Sequence, residues 1–219
     1  MFRRLLTIAA ACIALGAQAQ TPEAGQMTRH YLGAGASFDV NIPSGSRGQW
    51  STGSGVTAGV DYAYLFNQHF FGATGLKLYY RTMGINSDPA RNDIYEATAK
   101  NIGLRIPFMV GYTTPVSENV AMSVATGPEL DINLYARQGV MPDFNGGVAM
   151  STGTVNMFKH GFKHVDAMWG ITLGFTFADH YYVGVSGDVA FTPLASYGNG
   201  NKQIKVRGNS VAVKLCYIF

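Results

Sequence analysis

The sequence predicts an all-β protein, a single eight-stranded antiparallel up-and-down barrel that crosses a membrane with its strands. Three observations predict it. Eight segments alternate apolar residues with small or polar ones at a period of two. Charged residues are 13% of the chain, against roughly 25% in soluble domains. The connections between segments alternate between short and long.

The front of the chain is set apart from this pattern. Residues 1–19, MFRRLLTIAAACIALGAQA, place Arg3 and Arg4 before an apolar stretch from Leu5 to Leu15, followed by the small residues Ala17 and Ala19. That is the layout of a secretory signal peptide cleaved after Ala19, and the apolar stretch is too short to span a bilayer as a helix. Residues 20–219 then form one domain. Without Arg3 and Arg4, Lys+Arg falls from 16 to 14 against 13 acids, a net charge of +1 that gives no reason to invoke nucleic acid. Cys216 is the one cysteine after the leader, so no internal disulfide is expected. No later stretch approaches 18 consecutive apolar residues, so no transmembrane helix is expected either.

The segments follow in order. The first, 30–41, carries Leu32, Phe38 and Val40 on one face, and the second, 52–66, carries Val56, Val60, Tyr62 and Tyr64. The third, 70–83, offers Phe70, Leu76, Leu78 and Tyr80; the fourth, 99–113, runs Ile102, Leu104, Ile106, Phe108, Val110, Tyr112. The fifth, 119–135, has Val120, Met122, Val124, Leu130, Ile132 and Leu134. The sixth, 163–177, has Val165, Trp169, Ile171, Leu173, Phe175 and Phe177. The seventh, 181–192, has Tyr181, Val183, Val185, Val189 and Phe191, and the eighth, 207–219, ends Val211, Val213, Leu215, Tyr217, Phe219. Residues two apart on a strand share a face, so each segment owns one apolar face. No charge falls on any of these faces.

The charges sit in the opposite phase, as Asp39, Asp61, Lys77, Arg81, Arg105, Glu129, Asp131, Asp166, Asp188 and Lys214, among Gly, Ala, Ser, Thr and Asn. Small residues with a few ions suit the narrow interior of a small closed barrel, while the apolar faces suit lipid. A soluble barrel with its apolar phase inward would need a Lys- and Glu-rich exterior, which this polar phase does not supply. Six acids and four bases on eight strands are expected to form a paired network, because a buried ion without a partner is costly.

Short turns at Asn67–His69, Thr114–Glu118 and Ala178–His180 alternate with long connections at 42–51, 84–98, 136–162 and 193–206. An even strand count puts both ends of the barrel on the short-turn side, the periplasmic side of bacterial outer-membrane barrels. Lipid offers no partner to a free backbone edge, so the last strand is expected to close on the first. Aromatics near strand ends suit the two membrane interfaces.

The chain resembles the small outer-membrane β-barrel family, porin-like or OmpX- and PorT-like. The resemblance rests on Leu104-Arg105-Ile106-Pro107, on Gly127-Pro128-Glu129-Leu130, and on the closing stretch from Val213 to Phe219. It implies an eight-stranded barrel in the cell outer membrane, surrounded by outer-membrane lipid. Leu215, Tyr217 and Phe219 then resemble the C-terminal signal read by the outer-membrane assembly machinery. Both prolines lie inside expected strands, where each forfeits a donor and suggests a bulge.

The family implies no single activity, so candidate sites are weighed residue by residue. The expected role is structural or interactional, with outer loops presented from a plugged barrel. A narrow channel through the charged lumen is the alternative, and a lipid-modifying enzyme the third reading. The last would need His and Ser two apart on one strand; no His-x-Ser occurs. His160 and His164 lie in a Gly-containing connection beside two lysines, a poor metal site, and Gly33-x-Gly35 has no helix after it, so no cofactor is expected. The connection 136–162 contains Met141, Phe144, Met150, Met157 and Phe158, an apolar rim that would pair with a protein partner or fold down on its own barrel.

Overall fold

Alternating side chains require a closed sheet here, and the computed structural model has one. It describes residues 30–44, 50–85, 97–140, 154–197 and 204–219. The signal peptide and its cleavage site lie outside these residues. Eleven strands are β1 (His30–Ser44), β2 (Trp50–Ser51), β3 (Gly53–Leu65), β4 (Phe70–Ile85), β5 (Ala97–Ser117), β6 (Val120–Val140), β7 (Thr154–Asn156), β8 (Val165–Phe177), β9 (Tyr181–Ala190), β10 (Ala195–Tyr197) and β11 (Ile204–Ile218). Eight of them form the wall in the order β1-β3-β4-β5-β6-β8-β9-β11, all antiparallel, and β1 closes on β11 from Gly33↔Ile218 to Ser44↔Arg207. No backbone edge faces lipid along that seam.

The wall sorts its side chains as a membrane barrel must. Phe38, Leu76, Phe108, Val110, Ile171 and Leu215 point outward, each at least half exposed, while Asp131, Asp166 and Asp188 are almost fully buried. On β5 the outward apolar row runs from Ile102 to Tyr112, close to the 9–11 residues a tilted strand needs to cross the hydrocarbon. β5 and β6 are 21 residues each, so both continue well beyond that row. The shorter β2 and β7 pair with β4 and β6 above the membrane.

Several boundaries differ from the sequence reading. The fourth and fifth segments run on to Ser117 and Val140, and the turn between them shrinks to Glu118 and Asn119. The connection 136–162 is not one loop: β6 occupies its start, β7 its end, and a 3₁₀ turn follows at Met157–His160. The seventh segment stops at Ala190, because Phe191 and Thr192 leave the ladder to bond Ala167 O.

The prolines do not make bulges. The β5–β6 register is the same on both sides of Pro107 and Pro128; the ladder simply skips Phe108 and Met109 opposite Pro128 and Gly127. The Thr74 hydroxyl bonds Pro107 O at 2.9 Å. The bulges lie elsewhere, between Ile102 and Gly103 opposite Leu134 and between Pro115 and Ser117. At the first, Leu134 is the extra residue, and Leu134 and Tyr135 are both exposed. Beyond it the phase of β6 inverts, so Ala136 is buried and Arg137 exposed.

The short turns have local causes. The Asn67 carboxamide oxygen accepts from His69 N and Phe70 N, each at 2.8 Å, an Asx turn. Ala178 (φ 48°) and Asp179 (φ 60°) take the two central positions of a β-turn within the three-residue connection, with His180 N donating to Phe177 O.

Candidate functional site

The lumen is where this barrel concentrates its chemistry. Inward positions of β4, β5, β6, β8 and β9 bring Arg81, Arg105, Glu129, Asp131, Asp166 and Asp188 to one level. Arg105 is the centre. Its Nε and Nη2 grip the two Asp131 oxygens at 2.8 and 3.0 Å, and its Nη1 reaches Asp188 Oδ2 at 2.9 Å and Glu129 Oε2 at 3.4 Å. A planar fork on one carboxylate is the strongest geometry an arginine has. Arg81 lies above it, 3.3 Å from Asp131 Oδ2 and 3.5 Å from Asp166 Oδ2, with its guanidinium 4.8 Å from the Tyr79 ring centre.

Asn133 completes this level. Its Oδ1 accepts from Tyr79 OH, Arg81 Nη2 and Asn101 Nδ2, while its Nδ2 donates to Asp166 Oδ2 and to Lys163 O. Its backbone N donates to His164 O at 2.7 Å. Two glycines make room for the arrangement. A Cβ on Gly103 would overlap the Tyr79 hydroxyl, and one on Gly170 would sit 2.7 Å from Glu129 Oε1.

The ten lumen charges expected to pair do not form one network. Six of them do, as just described. Lys77 and Asp61 make a separate pair at 2.8 Å, nearer the short-turn end. Asp39 is held by hydroxyls, from Ser37 at 3.0 Å and Thr57 at 2.8 Å, and Lys214 donates to Thr172 Oγ1 at 3.3 Å. Serine and threonine hydroxyls take the partner roles that the sequence alone assigned to ions. Within the six-member cluster, four carboxylates face two guanidiniums.

Above the charges lies an apolar lid, the fold-down that the sequence offered as one of two outcomes for Met157 and Phe158. Met83, Ala99, Ala136, Met157, Phe162, Leu194, Ala195 and Val206 form one buried cluster, with Trp50 and Phe158 packed against it. Met157 and Phe158 thus fold down onto the barrel. Met141, Phe144 and Met150, the rest of that apolar rim, lie outside the described residues. The 3₁₀ turn is capped by Asn156, and Gly161 takes a left-handed φ of 87° to let the chain re-enter. His164 stacks on Phe158 with ring centres 3.9 Å apart. Among the described residues no group of three or more His, Cys, Asp or Glu is placed to hold a metal ion.

The final strand is tied rather than frayed. Ile218 N donates to His180 O at 2.7 Å and Phe219 N to Leu32 O at 2.9 Å. Tyr217 stacks on His180 and meets Tyr181 and Phe219 edge-on, while Leu215 and Tyr217 face outward.

A closed, lipid-faced wall around a side-chain-filled lumen defines a small outer-membrane barrel. The chain belongs to the outer membrane protein beta-barrel domain family, whose model matches residues 18–196. Several solved structures are similar to the chain at low identity. OprG from Pseudomonas aeruginosa is 10% identical over 89% of this chain and 98% of its own, with a TM-score of 0.48. Neisserial surface protein A is 14% identical over 87% and 97%, with a TM-score of 0.39. Ail, the attachment invasion locus protein of Yersinia pestis, in complex with the heparin analogue sucrose octasulfate, is 11% identical over 87% and 98%, with a TM-score of 0.37. No curated relative matches the sequence.

Proposed function

We propose that this outer-membrane barrel is closed to solutes and does its work at its extracellular rim, as a structural or interaction protein. One observation carries the reading. The cluster of Arg81, Arg105, Asp131, Asp166 and Asp188 is tied across the lumen with every member under 9% exposed, and the apolar lid lies directly above it. A solute would have to break a bidentate pair and displace the lid to pass. Eight-stranded barrels have interiors filled by side chains in any case. The rim, by contrast, is long: β5 and β6 rise beyond the hydrocarbon, and β7 on their flank is exposed at all three residues. An exposed strand of this kind suits a partner protein that adds a strand of its own. Leu215, Tyr217 and Phe219 present an outward apolar and aromatic end to the assembly machinery.

A narrow channel is the second reading, and one observation favours it. Below the cluster, the Asp61 side chain is 35% exposed and that of Lys77 16%, so the short-turn half of the lumen is the less tightly filled. Planar-bilayer recording of the refolded chain separates the two. A silent bilayer is expected. Reproducible steps that change on Glu129→Gln would overturn the closed-barrel reading and move the function into the lumen.

A further inference from the structure

The lipid-facing wall is not smooth. Toward the short turns a hollow of about 530 Å³ opens outward across β4, β5 and β6, within the roughly 300–1,000 Å³ of ordinary ligand pockets. Two cross-strand rows bound it. Phe70, Tyr112 and Val124 are register partners on its short-turn side, and Gly72, Val110 and Thr126 are partners two residues further up the strands. The second row is low, because Gly72 has no side chain. Phe66 leans over that gap: a Cβ on Gly72 would come 2.9 Å from Phe66 Cζ. The Thr126 hydroxyl is engaged by the wall itself, donating to Gly170 O at 2.9 Å and accepting from Trp169 Nε1 at 2.7 Å. Phe66, Phe70 and Val110 are each more than half exposed. Water is absent at this depth, so hydrocarbon fills the hollow.

The mouth of the hollow suits a headgroup of one kind. Tyr112 ends the outward apolar row of β5 and marks the membrane interface. His69 stacks on it with ring centres 5.4 Å apart, and His69 Nδ1 lies 3.1 Å from Thr113 O. A carbonyl only accepts, so Nδ1 carries the hydrogen and Nε2 is the acceptor of the neutral ring. Among the described residues, the exposed charges at this end are the acids Glu118 and Asp179, whereas the exposed Lys and Arg lie toward the long connections. Such an end repels an anionic headgroup and attracts an ammonium.

We propose that this hollow is a binding site for a zwitterionic phospholipid of the periplasmic leaflet. One acyl chain lies between Phe66 and Thr126, and the primary ammonium of an ethanolamine headgroup donates to His69 Nε2. The short-turn side is the periplasmic side of such barrels. The proposal rests on the outer-membrane placement of the barrel and is independent of whether its lumen is closed.

Trp169 bonds Thr126 and so reports on the hollow. In a Trp50→Phe background it is the only tryptophan of the chain. The test refolds that full chain into phosphatidylcholine vesicles holding a low mole fraction of phospholipid with brominated acyl chains, which quench a nearby indole. Brominated phosphatidylethanolamine should quench about threefold more than brominated phosphatidylglycerol or phosphatidylcholine, the scale of one net hydrogen bond. Gly72→Leu fills the hollow and should bring all three to one level. His69→Phe keeps an aromatic ring against Tyr112 but removes the acceptor, and it should abolish the preference for ethanolamine. Val213→Phe, on β11 across the barrel, should behave as the parent does. Heat-shifted gel mobility checks that each variant is folded. Equal quenching by the three lipids in the parent would mean ordinary surrounding lipid only and overturns the proposal. An unchanged preference in folded Gly72→Leu or His69→Phe overturns it as well.

Discussion

Arg105 spends its guanidinium on three carboxylates and on Met168 Sδ at 3.3 Å. Replacing it by Met leaves those carboxylates buried without their cation, so Arg105→Met should cost about 3–5 kcal/mol, measured by urea unfolding of the refolded barrel. Glu129 is the opposite case. It adds to an excess of carboxylates, and its Oε2 makes only the 3.4 Å contact to Arg105 and no hydrogen bond. Glu129→Gln removes a charge the cluster does not balance, and it should leave the unfolding midpoint unchanged or raise it. Ala178 offers a third test. A β-carbon at φ 48° is strained, so Ala178→Gly should stabilise the β8–β9 hairpin by up to about 1 kcal/mol. A lower midpoint would show that the turn tolerates the alanine at no cost.

At the level of elements, Asn133 joins parts that the chain places far apart. It links β4 and β5 through Tyr79, Arg81 and Asn101, β8 through Asp166, and the segment under the lid through Lys163 O. Asn133→Leu keeps the branching and the number of heavy atoms of the side chain and removes every one of those side-chain bonds. Protease cleavage between Thr154 and His164 should then become faster, while the outward wall and its heat-shifted mobility persist. Equal cleavage of parent and variant would show that the apolar packing of Met157 and Leu194 holds the lid without help. The period-two pattern made all eight wall strands legible, because each outward face meets one uniform solvent. The bulge at Leu134 was not legible, since one extra residue in a ladder leaves no mark on composition. Met157 and Phe158 were expected to be able to fold down, but the other members of the lid were not legible, for a related reason. Met157 and Phe162 come from one connection and Leu194 and Val206 from another, and only the closed wall brings them to one mouth.

For the whole molecule, closure and sorting were readable, whereas the grouping inside the lumen was not. All ten lumen charges share the inward phase, yet their partners depend on the relative height of strands. The register sets that height, and alternation alone does not. Asp39 therefore ends beside Ser37 and Thr57 rather than beside a base, and Lys214 beside Thr172. The barrel as a unit predicts a silent bilayer, for the reasons given with its proposed function.

Among the described residues the exposed acids and the exposed bases lie at opposite ends of the barrel, with a consequence for how the molecule keeps its orientation. Carrying an Arg or Lys on a barrel's outer face across the bilayer midplane costs roughly 2–4 kcal/mol, and Lys100, Arg137, Lys159, Lys163, Lys205 and Arg207 all lie at one end. Turning the inserted barrel over would draw all six through the hydrocarbon, a barrier on the order of 10–20 kcal/mol from these residues alone. The opposite end presents Glu118 and Asp179, for which such a passage costs less each. Insertion is therefore a one-way event. Whatever carries the basic end across does so once, during assembly, and these six charges then resist reversal of the finished barrel.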